Sequence, residues 1–174
     1  MQDDYVLPLV DITPLNSPHL EDRLKVAEQL DRACREVGFL YLRGEQFKPE
    51  LFEQMLRVTK DYFAQDDDIK MQNYIGKSCN HSGYVPIGEE QFVGNSYDLK
   101  EAYDVNYDYQ GECSDYPLLG PTQWPDFPDF KSQVSAYYRH LKHIGDQLFS
   151  GFALALGLDE NYFAPYLNLS LIHI

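Results

Sequence analysis

Residues 79–90, CNHSGYVPIGEE, bring a thiol, an imidazole, a Gly-Tyr pair and two adjacent carboxylates into one short stretch. Cys79 and His81 could act as nucleophile and base only if tertiary structure supplied the geometry, and no Gly-x-Ser-x-Gly elbow supports nucleophilic catalysis elsewhere. Cys79 therefore reads as a small, partly buried residue. Glu89 and Glu90 could be an acid and base pair, but neighbours in an extended segment point to opposite faces, so one of them is expected to order the turn through backbone N–H groups. His19-Leu20-Glu21 is the one His-x-acid in the chain and, with a distant histidine, could form the facial triad of a non-haem iron site. It lies at the start of a predicted surface helix, where an acidic residue has an ordinary dipole reason to stand. His140 and His143 have chelating i, i+3 spacing, yet Arg139 and Lys142 flank them and no third ligand is set beside them. The glycines form neither a phosphate loop nor a dinucleotide fingerprint. From its residues alone, then, the chain is expected to carry no catalytic residue and no metal ligand of its own.

The elements that must position these groups follow from periodicity. Val6 to Ile12 is an apolar run broken by Pro8, which predicts an edge strand. Ser17 offers an N-cap and Pro18 a first helical position for a helix carrying Leu24, Ala27, Leu30, Ala33 and Val37, with Gly38 as its stop. Phe39 to Arg43 has a buried-strand pattern. Pro49 opens a second helix with Phe52, Met55, Leu56, Thr59 and Phe63 on its apolar face. Beyond it, DDDIK predicts a short helix, GYVPI a strand, and EAYDVNYDY a strand with Tyr103, Val105, Tyr107 and Tyr109 on one side. The proline-rich stretch from Pro117 to Pro128 excludes regular helix, and its Trp124 predicts a loop laid against the body of the protein. Phe130, Val134, Tyr137, Leu141, Ile144, Leu148 and Phe152 mark the longest helix, ending near Leu156 with Gly157 as its stop. Asp159 can cap a short helix through Tyr162 and Phe163, and LNLSLIHI reads as a strand.

At 174 residues and 44% hydrophobic content the chain fits one domain with a real core. A net charge of -14 repels phosphate backbones and anionic lipid, so neither nucleic acid nor a membrane is an expected partner. Cys34, Cys79 and Cys113 show no Cys-x-x-Cys spacing, and no disulfide framework or zinc knuckle is expected. That cysteine usage and the acidic N-terminus, which lacks a signal-peptide pattern, point to a cytoplasmic protein.

The order of motifs carries a resemblance. LPLVDI, ACREVGFLYL, HSGYVPIGEE, DLKEAYDV, PTQWPDFPDF and ALALGLDENYF, spanning Leu7 to Phe163, closely resemble the N-terminal region of the isopenicillin N synthase-like non-haem iron oxygenases, which include many 2-oxoglutarate-dependent dioxygenases. The resemblance implies an α+β fold: a helical and strand-bearing N-terminal region of a double-stranded β-helix (jelly-roll) oxygenase, with most of the jelly-roll core absent from this chain. On that reading 1–168 is the N-terminal domain, and 169–174 is the start of a core strand or a non-native tail. The family holds iron by a His-x-Asp and a later His, and anchors 2-oxoglutarate by an Arg-x-Ser, all downstream of the ALALGLDENYF-like helix. Fe(II) and 2-oxoglutarate are accordingly expected in a full-length protein that oxidises a small-molecule substrate, with no cofactor on this chain. A non-catalytic remnant or interaction module of the same architecture is the alternative. In the family, the segment before the Gly-Tyr pair runs by the mouth of the active site and often offers an arginine to the substrate; His81 and Ser82 stand there in this chain. His81 and Tyr84 are the substrate-side candidates this implies. Asp98, Lys100 and Glu101 match the family's DLKE run and are read as local ion-pair and capping residues.

Overall fold

The structure is a computed structural model that describes residues 6–92 and 96–167. The described residues form two compact bodies, one of 6–50 with 138–167 and the other of 51–137.

In the first body, strand β1 (Leu9–Asp11) pairs in parallel with β2 (Tyr41–Arg43), and helix α1 (Leu20–Glu36) makes the connection between them. Parallel strands need such a crossover because a tight turn cannot reverse the chain twice. As the proline predicts, β1 starts just after Pro8 and lies at a sheet edge. Helix α1 begins later than Ser17. Its cap position is His19, whose backbone N–H donates to Ser17 Oγ, and Ser17 Oγ in turn donates to Asp22. Pro18 thus belongs to the lead-in, and Ser17 orders the first turn from outside it. Gly38, at φ +82, stops the helix as expected, with its N–H returned to the Ala33 carbonyl.

Phe39 to Arg43 is not a fully buried strand. Phe39 and Tyr41 face outward while Leu40 and Leu42 pack inward, the alternation of a sheet covered on one face. The core of this body joins Val10, Ile12, Val26, Leu30 and Ile144, with Leu148 and Phe152 packed against them. The last three lie on helix α4 (Phe130–Ala155), the longest element, which Gly157 (φ +71) terminates.

Helix α2 (Pro49–Phe63), which from Leu51 onward belongs to the second body, opens at its proline, but its inward stripe is Val58 and Tyr62. Phe52 and Leu56, expected on that face, remain exposed. Short helix α3 (Asp67–Lys70) follows. Strand β3 (Gly83–Val85) and, after the two-residue strands β4 (Gln91–Phe92) and β5 (Ser96–Tyr97), strand β6 (Ala102–Asp104) complete this body's sheets. Pairs β3–β6 and β4–β5 are antiparallel. The predicted long tyrosine strand stops at Asp104, since the Asn106 side chain takes over the pairing with the opposite segment. Tyr62, Tyr84 and Phe130 form the centre of an aromatic core with Tyr103, Trp124 and Phe127. The Pro117 to Pro128 stretch is non-helical and delivers Trp124 to this core, as its composition predicts. The terminal helix, α5 (Ala164–Leu167), lies a turn beyond the expected one. The strand expected in LNLSLIHI falls almost wholly outside the described residues.

Candidate active-site segment

The segment leading into β3 is built around one side chain. Asn80 is fully buried, and its Oδ1 accepts from the hydroxyls of Ser78 and Ser82, each at 2.6 Å. Its Nδ2 donates to the Gly120 carbonyl at 2.9 Å. Ser82, also fully buried, accepts the Gln123 N–H at its Oγ, and Asn106 Nδ2 donates to the carbonyls of both Asn80 and His81. Inside a protein such a satisfied polar network holds its members in one geometry, because each buried group released from it would be left unpaired.

His81 is the exposed residue in this knot, and its backbone sits at φ +56. A non-glycine residue in the left-handed region costs energy, and it persists where neighbours over-determine it. Here the inward turn of Asn80 and Ser82 on either side leaves the intervening imidazole pointing to solvent. Gly83 follows at φ +126, where a Cβ would collide with the Asn73 carbonyl oxygen.

Tyr84 is placed differently from His81. Its ring is in the aromatic core and its hydroxyl donates to Glu101 at 2.7 Å. The same carboxylate receives Lys70 Nζ at 2.7 Å, and Asp67 takes a second bond from that ammonium at 3.0 Å. Burial opposes charge on Lys70, but the bonds to Glu101 and Asp67 outweigh it and raise its pKa above the ordinary lysine range. Burial likewise works against ionisation of Glu101, and the Lys70 and Tyr84 donors more than compensate, holding its pKa below the usual glutamate value. Glu101 is therefore not a local ion-pair residue: its partner lies on α3, and nothing in local spacing marks Lys70 as buried. Lys100 does pair locally, with Glu90 and Asp98.

Glu89 accepts the Tyr74 hydroxyl at 2.6 Å. Both glutamates of the pair therefore serve separate side-chain partners, and among the described residues neither orders the turn through backbone N–H groups as expected. The largest correction concerns the cysteines. Cys79 and Cys113 form a disulfide, both residues are exposed, and Cys34 stays free. Cys79 is neither partly buried nor available as a thiolate nucleophile while that bond stands, and the cysteines no longer argue for a reducing cytoplasm.

Among the described residues no three His, Cys, Asp or Glu side chains gather as a metal site would require. His140 accepts the Lys48 N–H and His143 lies against Gln147, so each ring has its own protein partner. The described residues therefore do not fit an Fe(II) ion. An open depression of about 550 Å³ in the first body, lined by Asp11, Thr13, Arg43 and Glu45 among others, contains none of the candidate residues. No helix among the described residues is long and apolar enough to cross a membrane.

Comparison with known proteins agrees with this architecture. The family model for the non-haem dioxygenase in morphine synthesis N-terminal region matches residues 7–127. The chain belongs to this N-terminal family of the non-haem dioxygenases. Homoarginine-6-hydroxylase 2-ODD-233 of Oryza sativa subsp. japonica is 31% identical over 172 residues, which cover 92% of this chain and 52% of the rice protein. A full-length Neurospora crassa protein, crystallised in complex with alpha-KG, superposes with a TM-score of 0.78 at 22% identity, covering 97% of this chain and 53% of that one. A 2OG-Fe(II) oxygenase family protein from Caulobacter crescentus gives 0.76 at 25% identity, covering 92% and 52%. The chain thus spans about half the length of the curated relatives it matches. Its α+β fold is that of the N-terminal portion of these oxygenases.

Proposed function

We propose that this chain forms the N-terminal part of an oxidoreductase that uses Fe(II), 2-oxoglutarate and O₂ to oxidise a small organic molecule. The observation that carries this reading is the family match over residues 7–127, on a chain that spans only about half the length of the relatives it matches. In this reading 1–168 is the N-terminal domain and 169–174 begins a core strand or is a non-native tail. The metal ligands, the 2-oxoglutarate anchor and most of the jelly roll belong to a part of the protein that this chain does not contain, and the chain alone is inactive.

His81 is the residue proposed to meet the substrate. Its imidazole is exposed while both flanking side chains are locked inward, a rigid support of the kind a binding group needs. Tyr84 contributes by anchoring that support to Glu101 rather than through its buried ring. The test compares this chain with a longer protein that includes the downstream sequence. Ferrous ion titration should give one tight site in the longer protein and none here, and His81→Ala in the longer protein should raise KM severalfold without loss of iron. Stoichiometric iron on the chain alone, or unchanged kinetics in the variant, would overturn the corresponding part. A longer protein that binds no iron would favour an interaction module.

A further inference from the structure

We propose that the Cys79–Cys113 pair is a reversible thiol–disulfide exchange site for small thiols of the glutathione class, and that exchange there releases the flap of residues 109–119. The first support is access. Both cysteine residues are exposed, which puts the bridge at the surface of the body, on the side a small thiol approaches, rather than in its core.

The second support is how the flap is held. Within 109–119 the described hydrogen bonds are short-range: Ser114 N–H donates to the Leu119 carbonyl, Leu119 N–H to Tyr116, and Tyr116 N–H to Ser114 Oγ. Tyr109 N–H and the Gln110 side chain reach no farther than residues 107 and 108. Among the described residues no hydrogen bond or ion pair ties 109–119 to chain outside 107–119, which leaves the sulfur bridge as its one covalent or polar tether. Most of its side chains are solvated, so little apolar burial replaces that tether.

The third support is that both ends of the flap are fixed independently of the sulfurs. On one side Asp108 accepts from the Thr122 N–H and Trp124 Nε1 and pairs with Lys131. On the other, the Gly120 carbonyl is bonded to Asn80. Cys79 adjoins Asn80 in the buried knot. Once the bridge opens, Cys113 therefore remains on a short loop pinned at both ends, and the effective concentration of one thiol near the other favours re-closure. Gly120 is fitted to this arrangement, since a Cβ at that position would strike Cys79 Sγ.

In the exchange, a glutathione thiolate attacks one cysteine sulfur, the S–S bond breaks, and the other cysteine departs as a thiolate that takes a proton from water. A second glutathione displaces the protein thiol from the mixed disulfide. The two electrons that reduce the pair come from two glutathione molecules, which leave as their disulfide. Nothing in this step depends on the oxygenase reading, because no measurement below uses catalysis.

The test equilibrates the full 174-residue chain in glutathione buffers ranging from fully oxidised to fully reduced. Alkylation and mass spectrometry then count free Cys79 and Cys113, with Cys34 as the internal control. Reversible conversion is expected, with amide exchange in 109–119 rising at least tenfold on reduction, cleavage after Glu112 accelerating, and β3 unchanged. The Cys79→Ser/Cys113→Ser variant should show the fast exchange in every buffer. A bridge that stays closed in fully reduced glutathione, a pair that never closes when oxidised, or flap exchange unaffected by reduction would overturn the proposal. So would loss of Trp124 burial on reduction, since the bridge would then be a staple of the whole body.

Discussion

Replacing Glu101 by glutamine should damage the protein more than removing the lysine it neutralises. The Lys70 side chain is 5% exposed and that of Glu101 is 28% exposed, while the second acceptor, Asp67, is 85% exposed. Breaking a fully buried ion pair from one side costs about 3–5 kcal/mol, because the remaining charge is stranded. In Glu101→Gln the ammonium keeps Asp67 and a weak bond to the Phe63 carbonyl, so the expected loss is about 2–3 kcal/mol. In Lys70→Met the carboxylate left behind still reaches water and still accepts from Tyr84, and the apolar replacement fits a buried site, so the loss should be about 1 kcal/mol. The double variant should resemble Lys70→Met alone. Urea unfolding followed by the fluorescence of Trp124, the single tryptophan, reads the body in which this pair sits. With a slope of about 2 kcal/mol per molar urea, Glu101→Gln should move the midpoint down by roughly 1–1.5 M. Equal losses in the two single variants, or additive losses in the double, would refute the argument that burial of the ammonium sets the cost.

The same pair sets a pH window. Glu101 has a folded pKa below its ordinary 4.5, so its contribution is complete above that value and is lost as pH falls through the folded pKa; the stability gap between wild type and Glu101→Gln should close there on acid titration. Lys70 is shifted upward from 10.5, so its contribution is complete below that pH and disappears only at stronger alkali. Gly83→Ala places a Cβ against the Asn73 carbonyl oxygen at φ +126 and should cost about 3 kcal/mol, seen as a lowered thermal midpoint. Tyr62→Phe should be neutral or gain about 0.5–1 kcal/mol, because the buried Tyr62 hydroxyl has no hydrogen-bond partner among the described residues; a loss above that size in the urea assay would show that the hydroxyl is bonded.

What could be read from the sequence was what local pattern encodes. Helix α4 stood out because its apolar residues repeat over many turns, and the GYVPI strand because turn residues bracket it. Helix α2 misled because it carries two apolar stripes, and Phe52, Met55 and Leu56 are as hydrophobic as the Val58 and Tyr62 stripe that turns inward. Which stripe is buried depends on aromatic partners from distant segments, Phe127 and Phe130. The disulfide was illegible for the same reason: its cysteines are 34 positions apart, with no spacing signal between them. In the candidate site, Cys79, His81 and the Gly-Tyr pair were conspicuous by type. Asn80 and Ser82, which hold His81 in place, were not, since their role arises from the backbone of residues 120–123.

The aliphatic core that Val10, Ile12, Val26 and Leu30 begin is finished by Ile144, Leu148 and Phe152, which the ribosome delivers far later. The aromatic core draws on one uninterrupted stretch, 51–137. At about 5–20 residues per second, the early strand and helix wait roughly ten seconds for their missing partners. During nascent-chain growth, the middle of the polypeptide can therefore consolidate before its beginning, and a chain stalled with residue 137 just outside the exit tunnel and 138 onward still inside should protect the aromatic segment from protease while leaving α1 open to cleavage.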